Sequence, residues 1–497
     1  MICKMENLRK KIIEIVLAEG YNITAEAINI LERLDNPIEK LKKTIEKLRR
    51  EMPSVLVIGS EHLVYNEPGE RILEGVSETE VEEKEVTAEW SPRIEVDERF
   101  QKQYRIRGEA SEFQNYFKSR YMKLKRILEE RGERYIRITD LMKAPRNSEA
   151  FLIVMLLDKK DYQNSIILMV EDDSGQTRLI ISKKDTELLK KAEKVLPDQV
   201  FGVRVTKINN TFLVKDLFLP DVPLKHKTIE KDLRDVYVVL LSDLHIGSKK
   251  FRKDYFESFL DWINRSRDSE VKKIKYIVIA GDLVDGVGVF PRQEDELEYN
   301  SINQQIEEAG KILSEIPREM KILISAGNHE PVSKAIPQPP LPLEYRKILD
   351  KNGEYIFIGN PCYVKLEDRL LLVYHGQSLD DMIQYLPNIS YTTLSRDIGV
   401  LLEMILKYRH LTPIYGENTS ILPTPEDLLV IDEIPDIIHT GHVHVAYAGG
   451  YREVLLVNSG TWQDQTSFQR EIGLEPTVGT AILINLKTLT VRLKKFS

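Results

Sequence analysis

Tyr237-Val238-Val239-Leu240-Leu241-Ser242-Asp243-Leu244-His245 decides the reading: an apolar run of strand length empties directly into Asp-x-His. The same arrangement returns four times downstream. Tyr276–Ala280 leads to Gly281-Asp282-Leu283-Val284-Asp285-Gly286, and Ile322–Ala326 leads to Gly327-Asn328-His329-Glu330. Leu370–Tyr374 leads to His375-Gly376, and Asp436–Thr440 leads to Gly441-His442-Val443-His444. Continuous apolar runs of this length read as strands buried on both faces, and open α/β sheets gather their sites at the carboxyl ends of such strands. Spacing i, i+2 in an extended segment places Asp243 with His245, and His442 with His444, on one side of the chain.

Those residue types point to metal. A mixed Asp, Asn and His set suits manganese, iron, zinc or nickel better than magnesium, which favours all-oxygen surroundings. Two ions about 3.5–4 Å apart can share a nucleophile and neutralise a phosphoryl transition state. Five of the nine histidines fall in these strand-end clusters, a concentration that scattered surface or core histidines do not produce.

The remainder of the 497-residue chain divides by composition. Residues 1–52 read as a small all-α unit: Leu8, Ile12, Ile15 and Val16 recur at helical spacing, and Asn36-Pro37-Ile38-Glu39 opens a further helix. This unit is expected to dock a partner or to be a structural appendage. Residues 53–100 read as an acidic linker. Its stretch 67–99 holds twelve acidic and four basic residues, so its net −8 equals the charge of the whole protein.

Residues 101–225 begin with the opposite sign. Lys118, Arg120, Lys123, Lys125 and Arg126 alternate with Phe113, Tyr116, Phe117 and Tyr121 at helical spacing. Cations beside aromatics suit a phosphate backbone and its bases, and DNA binding is expected of these five; the alternative is an amphipathic helix with its aromatics in the core. Beyond it come three strands, with the hairpin signal Asp172-Asp173-Ser174-Gly175-Gln176 between the second and third. A helix from Asp185 and two further strands follow. That order is expected of an OB barrel.

Other classes are excluded. Two cysteines, Cys3 and Cys362, provide neither a disulfide framework nor a thiolate metal site. The longest apolar run, Ala150–Leu157, is too short to cross a bilayer, and no secretion signal is legible, so no membrane partner is expected.

Taken in sequence, Asp-x-His, Gly-Asp-x-x-Asp, Gly-Asn-His-Glu, His-Gly and Gly-His-x-His resemble the calcineurin-like metallophosphoesterase family, which has a four-layer αββα architecture. With its helical start, linker and OB-like segment, and with Phe290-Pro291-Arg292-Gln293-Glu294-Asp295-Glu296-Leu297, the chain resembles the small subunits of archaeal family-D DNA polymerases. The resemblance assigns residues 226–497 to the phosphoesterase domain. It implies that Asp243, His245 and His444 hold one ion, that Asn328, His375 and His442 hold a second, and that Asp282 bridges them. His329 would act on the leaving oxygen or the pentavalent phosphorus. The ions would be two divalent metals, manganese foremost. The activity would be a 3′→5′ proofreading exonuclease, acting on a single-stranded 3′ end or primer terminus. The partner would be a large catalytic polymerase subunit, and the location cytoplasmic, at the nucleoid.

Two alternatives stay open. One is a non-catalytic scaffold. The other is a metallophosphatase or phosphodiesterase with another substrate. Protein phosphatases of this family clamp a terminal phosphate with two arginines, where this chain has Gly286 and Ala326; that difference favours a diester.

Overall fold

The computed structural model describes residues 91–209, 211–224 and 233–497, together with parts of 8–58. Most of the expected acidic linker therefore lies outside the described residues.

Residues 233–497 build one six-stranded sheet and five strands of a second six-stranded sheet. In the first, Tyr237–Leu241, Ile274–Ala280 and Lys321–Ser325 run parallel side by side, with Ile356–Ile358 on one flank and Thr480–Asn485 and Val491–Lys495 on the other. In the second, Arg369–Val373, Ile437–Thr440 and Val454–Ser459 form the parallel centre. Alternation sorts the side chains of the first sheet. Val238, Leu240, Val278 and Leu323 share a core with Val364, Leu371 and Val457 of the second sheet. Val239, Leu241, Ile277 and Ile324 face the helices Lys253–Arg265 and Ile302–Leu313. The helices Ser378–Tyr385 and Leu394–Tyr408 contribute Leu379, Met382, Ile398 and Leu402 to the core of the second sheet. The layers are thus helix, sheet, sheet, helix.

Upstream, Glu149–Asp161, Ser165–Asp172, Gly175–Ser182, Val200–Ile208 and Thr211–Phe218 close into a barrel, with the helix Thr186–Glu193 after the third strand. Asp172 pairs with Gly175 across the expected hairpin turn. The helix Ala110–Glu129 is wedged between barrel and sheets. Tyr121, Leu124, Ile127 and Leu128 pack on Phe151, Ile153 and Val200 of the barrel, while Phe113 and Phe117 meet Tyr415 edge-on.

Three expectations need correction. Ile94–Val96, assigned to the linker, is an edge strand antiparallel to Cys362–Leu366 of the second sheet. The N-terminal unit is not purely helical: Asn22–Ile23 pairs in parallel with Val57–Ile58, and Ile58 joins Ile12, Val16, Leu31 and Leu41 in a small core. Asp243 and His245 do not leave an extended segment, nor do His442 and His444. All four residues have positive φ, at 51°, 52°, 69° and 57°.

Candidate metal centre

Every strand-end motif reaches one place, at the carboxyl ends of the parallel strands of both sheets. Asp243, His245 and His444 offer ligand atoms all within 4.8 Å of one another, and so do Asp282, His375 and His442. The Nε2 of His444 lies 3.4 Å from an Asp243 oxygen and 3.1 Å from the Nε2 of His245. The Asp282 carboxylate stands between the two groups, 3.9 Å from His245 and 3.2 Å from His375. The Oδ1 of Asn328 closes the second group, 2.9 Å from His375 and 3.0 Å from His442.

Backbone strain produces this convergence. Asp282 also has positive φ, at 51°, so five ligand residues adopt the left-handed region that disfavours a side chain. Glycine does its work here by close approach. A Cβ on Gly327 would collide with the Asp282 carboxylate, and one on Gly441 with that of Asp243. The Glu330 carboxylate ties the two turns together by accepting from the N–H groups of Asp282 (3.1 Å), Leu283 (2.6 Å) and Gly327 (2.6 Å). Burial, aided by Asp282, raises its pKa to about 7.

A further set of residues orients the imidazoles. His245 donates from Nδ1 to Asp285 (3.0 Å), and His375 donates from Nδ1 to the Ala280 carbonyl (2.8 Å). His442 donates from Nε2 to Asp380 (2.8 Å), which also accepts from the Tyr391 hydroxyl (2.9 Å). Gln469 meets His444 Nδ1 at 2.8 Å through its side-chain amide. With their outer nitrogens occupied, His245, His375 and His442 turn an inner nitrogen toward the cluster, as metal-binding histidines do.

The donor set fits cations. Burial disfavours charge on His375, yet Asp282 and Asp243 outweigh it and raise its pKa to about 10. His245 is likewise raised to about 9, against burial, by Asp285 and the two ligand carboxylates. Asp282 is itself held well below the usual carboxylate range, because His375 and His329 overcome its burial. Acceptor atoms packed this closely draw in positive charge, and divalent ions can take the place of the protons.

His329 forms a third set with His245 and Asp282, their ligand atoms again within 4.8 Å of one another. Its N–H donates to Asp282 (2.9 Å), its Nδ1 lies 2.5 Å from the Asp285 carbonyl, and its ring meets His245 edge-on at 4.7 Å. Burial, with His245 adding to it, lowers its pKa from the ordinary histidine value.

A protein that holds this cluster on a barrel-and-double-sheet frame has relatives of known name. The family model for the B subunit of DNA polymerases alpha and epsilon matches residues 238–448. The DNA polymerase II small subunit of Archaeoglobus fulgidus is 38% identical over 393 residues, 78% of each chain. The chain belongs to the DNA polymerase II small-subunit family. The Methanothermobacter thermautotrophicus member is 39% identical over 388 residues, covering 76% of this chain and 78% of its own. That of Pyrococcus furiosus is 34% identical over 469 residues, covering 87% and 76%. Within this small-subunit chain, the family match spans Asp243, Asp282, Asn328, His329, His375, His442 and His444.

The basic helix departs from its expected role. Arg120 is completely buried, donating from Nε to Asp427 (2.8 Å) and from NH1 to the Pro413 carbonyl (2.9 Å). Lys123 donates to the Asp427 carbonyl (2.8 Å) and pairs with Glu426 at 3.1 Å. Lys125 is buried against Tyr121 and Tyr135, 3.7 Å from Asp173. These three bind the protein to itself, leaving only Lys118 and Arg126 of the five exposed.

Sequence reasoning gave no role to Glu330, Asp285, Asp380, Tyr391 or Gln469. Glu330 and Asp285 stood inside quoted motifs, a usable signal. Asp380, Tyr391 and Gln469 lie in segments without a motif, and nothing local marks them. Among the described residues no helix is long and apolar enough to cross a membrane.

Proposed function

We propose that the chain is the small subunit of a two-subunit replicative DNA polymerase and carries a metal-dependent 3′→5′ exonuclease. The observation that carries this reading is the convergence of seven ligand side chains, from five strand ends, on a space flanked by His329. Two divalent ions, manganese foremost, would supply charge neutralisation at the phosphorus and an activated water. Asp243, His245 and His444 would hold one ion, Asn328, His375 and His442 the other, with Asp282 placed to serve both. His329 is anchored through Nδ1. Its Nε2, 3.8 Å from the Asp282 carboxylate, is available to accept a proton and return it to the leaving 3′ oxygen.

A diester suits the site better than a terminal phosphate. Gly286 and Ala326 are buried and carry no guanidinium that could clamp a dianion. We read the closed barrel as an OB fold, with 101–225 and 226–497 as joined domains. The large polymerase subunit is the expected partner, for which this chain also acts as a scaffold.

The test is release of nucleotides from matched and mismatched 3′ ends, with manganese present or chelated, with and without the large subunit. Manganese-dependent release, faster at mismatches, is expected. A purified complex with full metal content and no release would leave the scaffold role alone.

A further inference from the structure

The segment Phe290–Leu297, distinctive in sequence, has no part in the cluster, yet it is fixed to it. Gln293 is fully buried: its Nε2 donates to the Asp285 carbonyl (2.8 Å) and carboxylate (3.0 Å), and its Oε1 accepts from the Val289 N–H (2.9 Å). Glu298 donates its N–H to the Gly247 carbonyl (2.8 Å), and Lys249 donates its own to Glu296 (2.9 Å). Asp285 is the residue whose carboxylate orients His245 and whose carbonyl anchors His329. The loop is therefore held on the residue that arranges the reacting groups.

What it delivers is an aromatic ring. Phe290 is half-buried, its centroid 6.5 Å from that of His329 and tilted 58° to it. The exposed Lys334 places its ammonium on the carbonyl of Asn328, the residue preceding His329. A flat apolar face thus adjoins the imidazole and an ammonium sits on the backbone just before it, as the base and the phosphate of one nucleotide would require. Lys334 is a point charge rather than a fork, which suits the one negative charge of a diester.

Resting on the reading above, we infer that Phe290 and Lys334 form a pocket for the 3′-terminal nucleotide, the ring stacking on its base and the ammonium meeting the scissile phosphate. Stacking tolerates any base, so the pocket takes a frayed end without reading its sequence. It also requires an unpaired base, which makes a melted terminus the substrate and a paired one a poor fit.

The experiment compares single-stranded oligonucleotides ending in an ordinary 3′ nucleotide or an abasic residue, using the intact protein with manganese. Wild-type protein should favour the ordinary end by about tenfold in kcat/KM, the scale of one stacked base. Phe290→Ala should bring that ratio close to one, and Phe290→Trp should preserve it. Lys334→Met should raise KM more than it lowers kcat and flatten the salt dependence, with Lys334→Arg restoring both. Anisotropy of the same 5′-labelled strands, with metal chelated, reads the end preference without turnover. Loss of preference in Phe290→Ala by that readout supports the pocket even if wild-type protein degrades nothing, in which case the exonuclease reading alone fails. A Phe290→Ala protein with wild-type end preference in either readout overturns the pocket.

Discussion

Two of the buried charge clusters among the described residues are built on opposite plans. Around Asp427, every strong group has a partner. Arg120 donates to Asp427, Pro413 and Tyr116. His410 donates from Nε2 to Asp427 (2.8 Å) and accepts at Nδ1 from the Thr412 N–H (3.0 Å), and the second Asp427 oxygen accepts from Leu429 (2.9 Å). Burial, helped by Arg120, pushes His410 down to about 4, so that cluster is one fixed ion pair beside a neutral imidazole. Around Asp282 the ring nitrogens face one another, and His245 and His375 are raised instead of lowered. The closed cluster joins the helix 110–129 to the sheets. The open one turns its nitrogens and oxygens toward a common space. Saturation of hydrogen bonds, rather than burial, separates the closed cluster from the open one.

The largest effect should come from breaking the open cluster at its centre. Asp282→Asn removes the carboxylate common to both groups and should lower manganese-dependent hydrolysis by roughly a thousandfold, given that each ion stabilises the transition state by several kcal/mol. Unfolding temperature in chelator should fall little; hydrolysis near the wild-type rate would contradict the bridging role.

Breaking the closed cluster should do the reverse. Arg120→Met leaves Asp427 charged and buried without its guanidinium and should cost about 3–5 kcal/mol of stability in denaturant titrations. The metal affinity of the folded fraction should be unchanged. A loss of stability below about 1 kcal/mol would show that the interface does not depend on this pair.

A smaller change sharpens the contrast. Asp380→Asn frees His442 Nε2 from its carboxylate and should weaken one ion about 10–100-fold while sparing the other, as loss of a ligand's orienting partner does. Calorimetric titration that gave two unaltered affinities would remove Asp380 from the site. Smallest of all, Lys118→Ala and Arg126→Ala, the exposed pair of the basic helix, should each reduce the salt slope of DNA binding by at most about one. An unchanged slope would assign that face to a protein partner.

The motifs of the centre are legible because their information is local: an apolar run that ends in a polar cluster, five times, with a glycine directly before the candidate ligand in three of them. The barrel was legible for the same reason, through the Asp172–Gly175 turn and alternating strands. What escaped was long-range. Whether Arg120 faces solvent or Asp427 is decided 307 residues away, and an amphipathic helix with basic residues looks alike in both cases. Ile94–Val96 is too short for alternation to register and becomes a strand only because Cys362–Leu366 needs an edge. Positive φ at Asp243, His245, His442 and His444 defeats the rule that i and i+2 share a face. Their side chains meet because the site forces the backbone, not because the strand continues.

Titration of the chelator-stripped protein with manganese, followed by calorimetry in buffers of different ionisation enthalpy, tests the central claim most directly. In the metal-free protein, the raised pKa values of His245 (about 9) and His375 (about 10) add stability that is complete below about pH 6.5, their unperturbed value. That contribution disappears as the pH rises through those raised values. Ions that displace these protons must bind more tightly as the pH increases and must release protons at pH 7. The account predicts two ions per chain with proton release, both lost in Asp282→Asn. Uptake of one ion or none, or uptake without proton release, would contradict it.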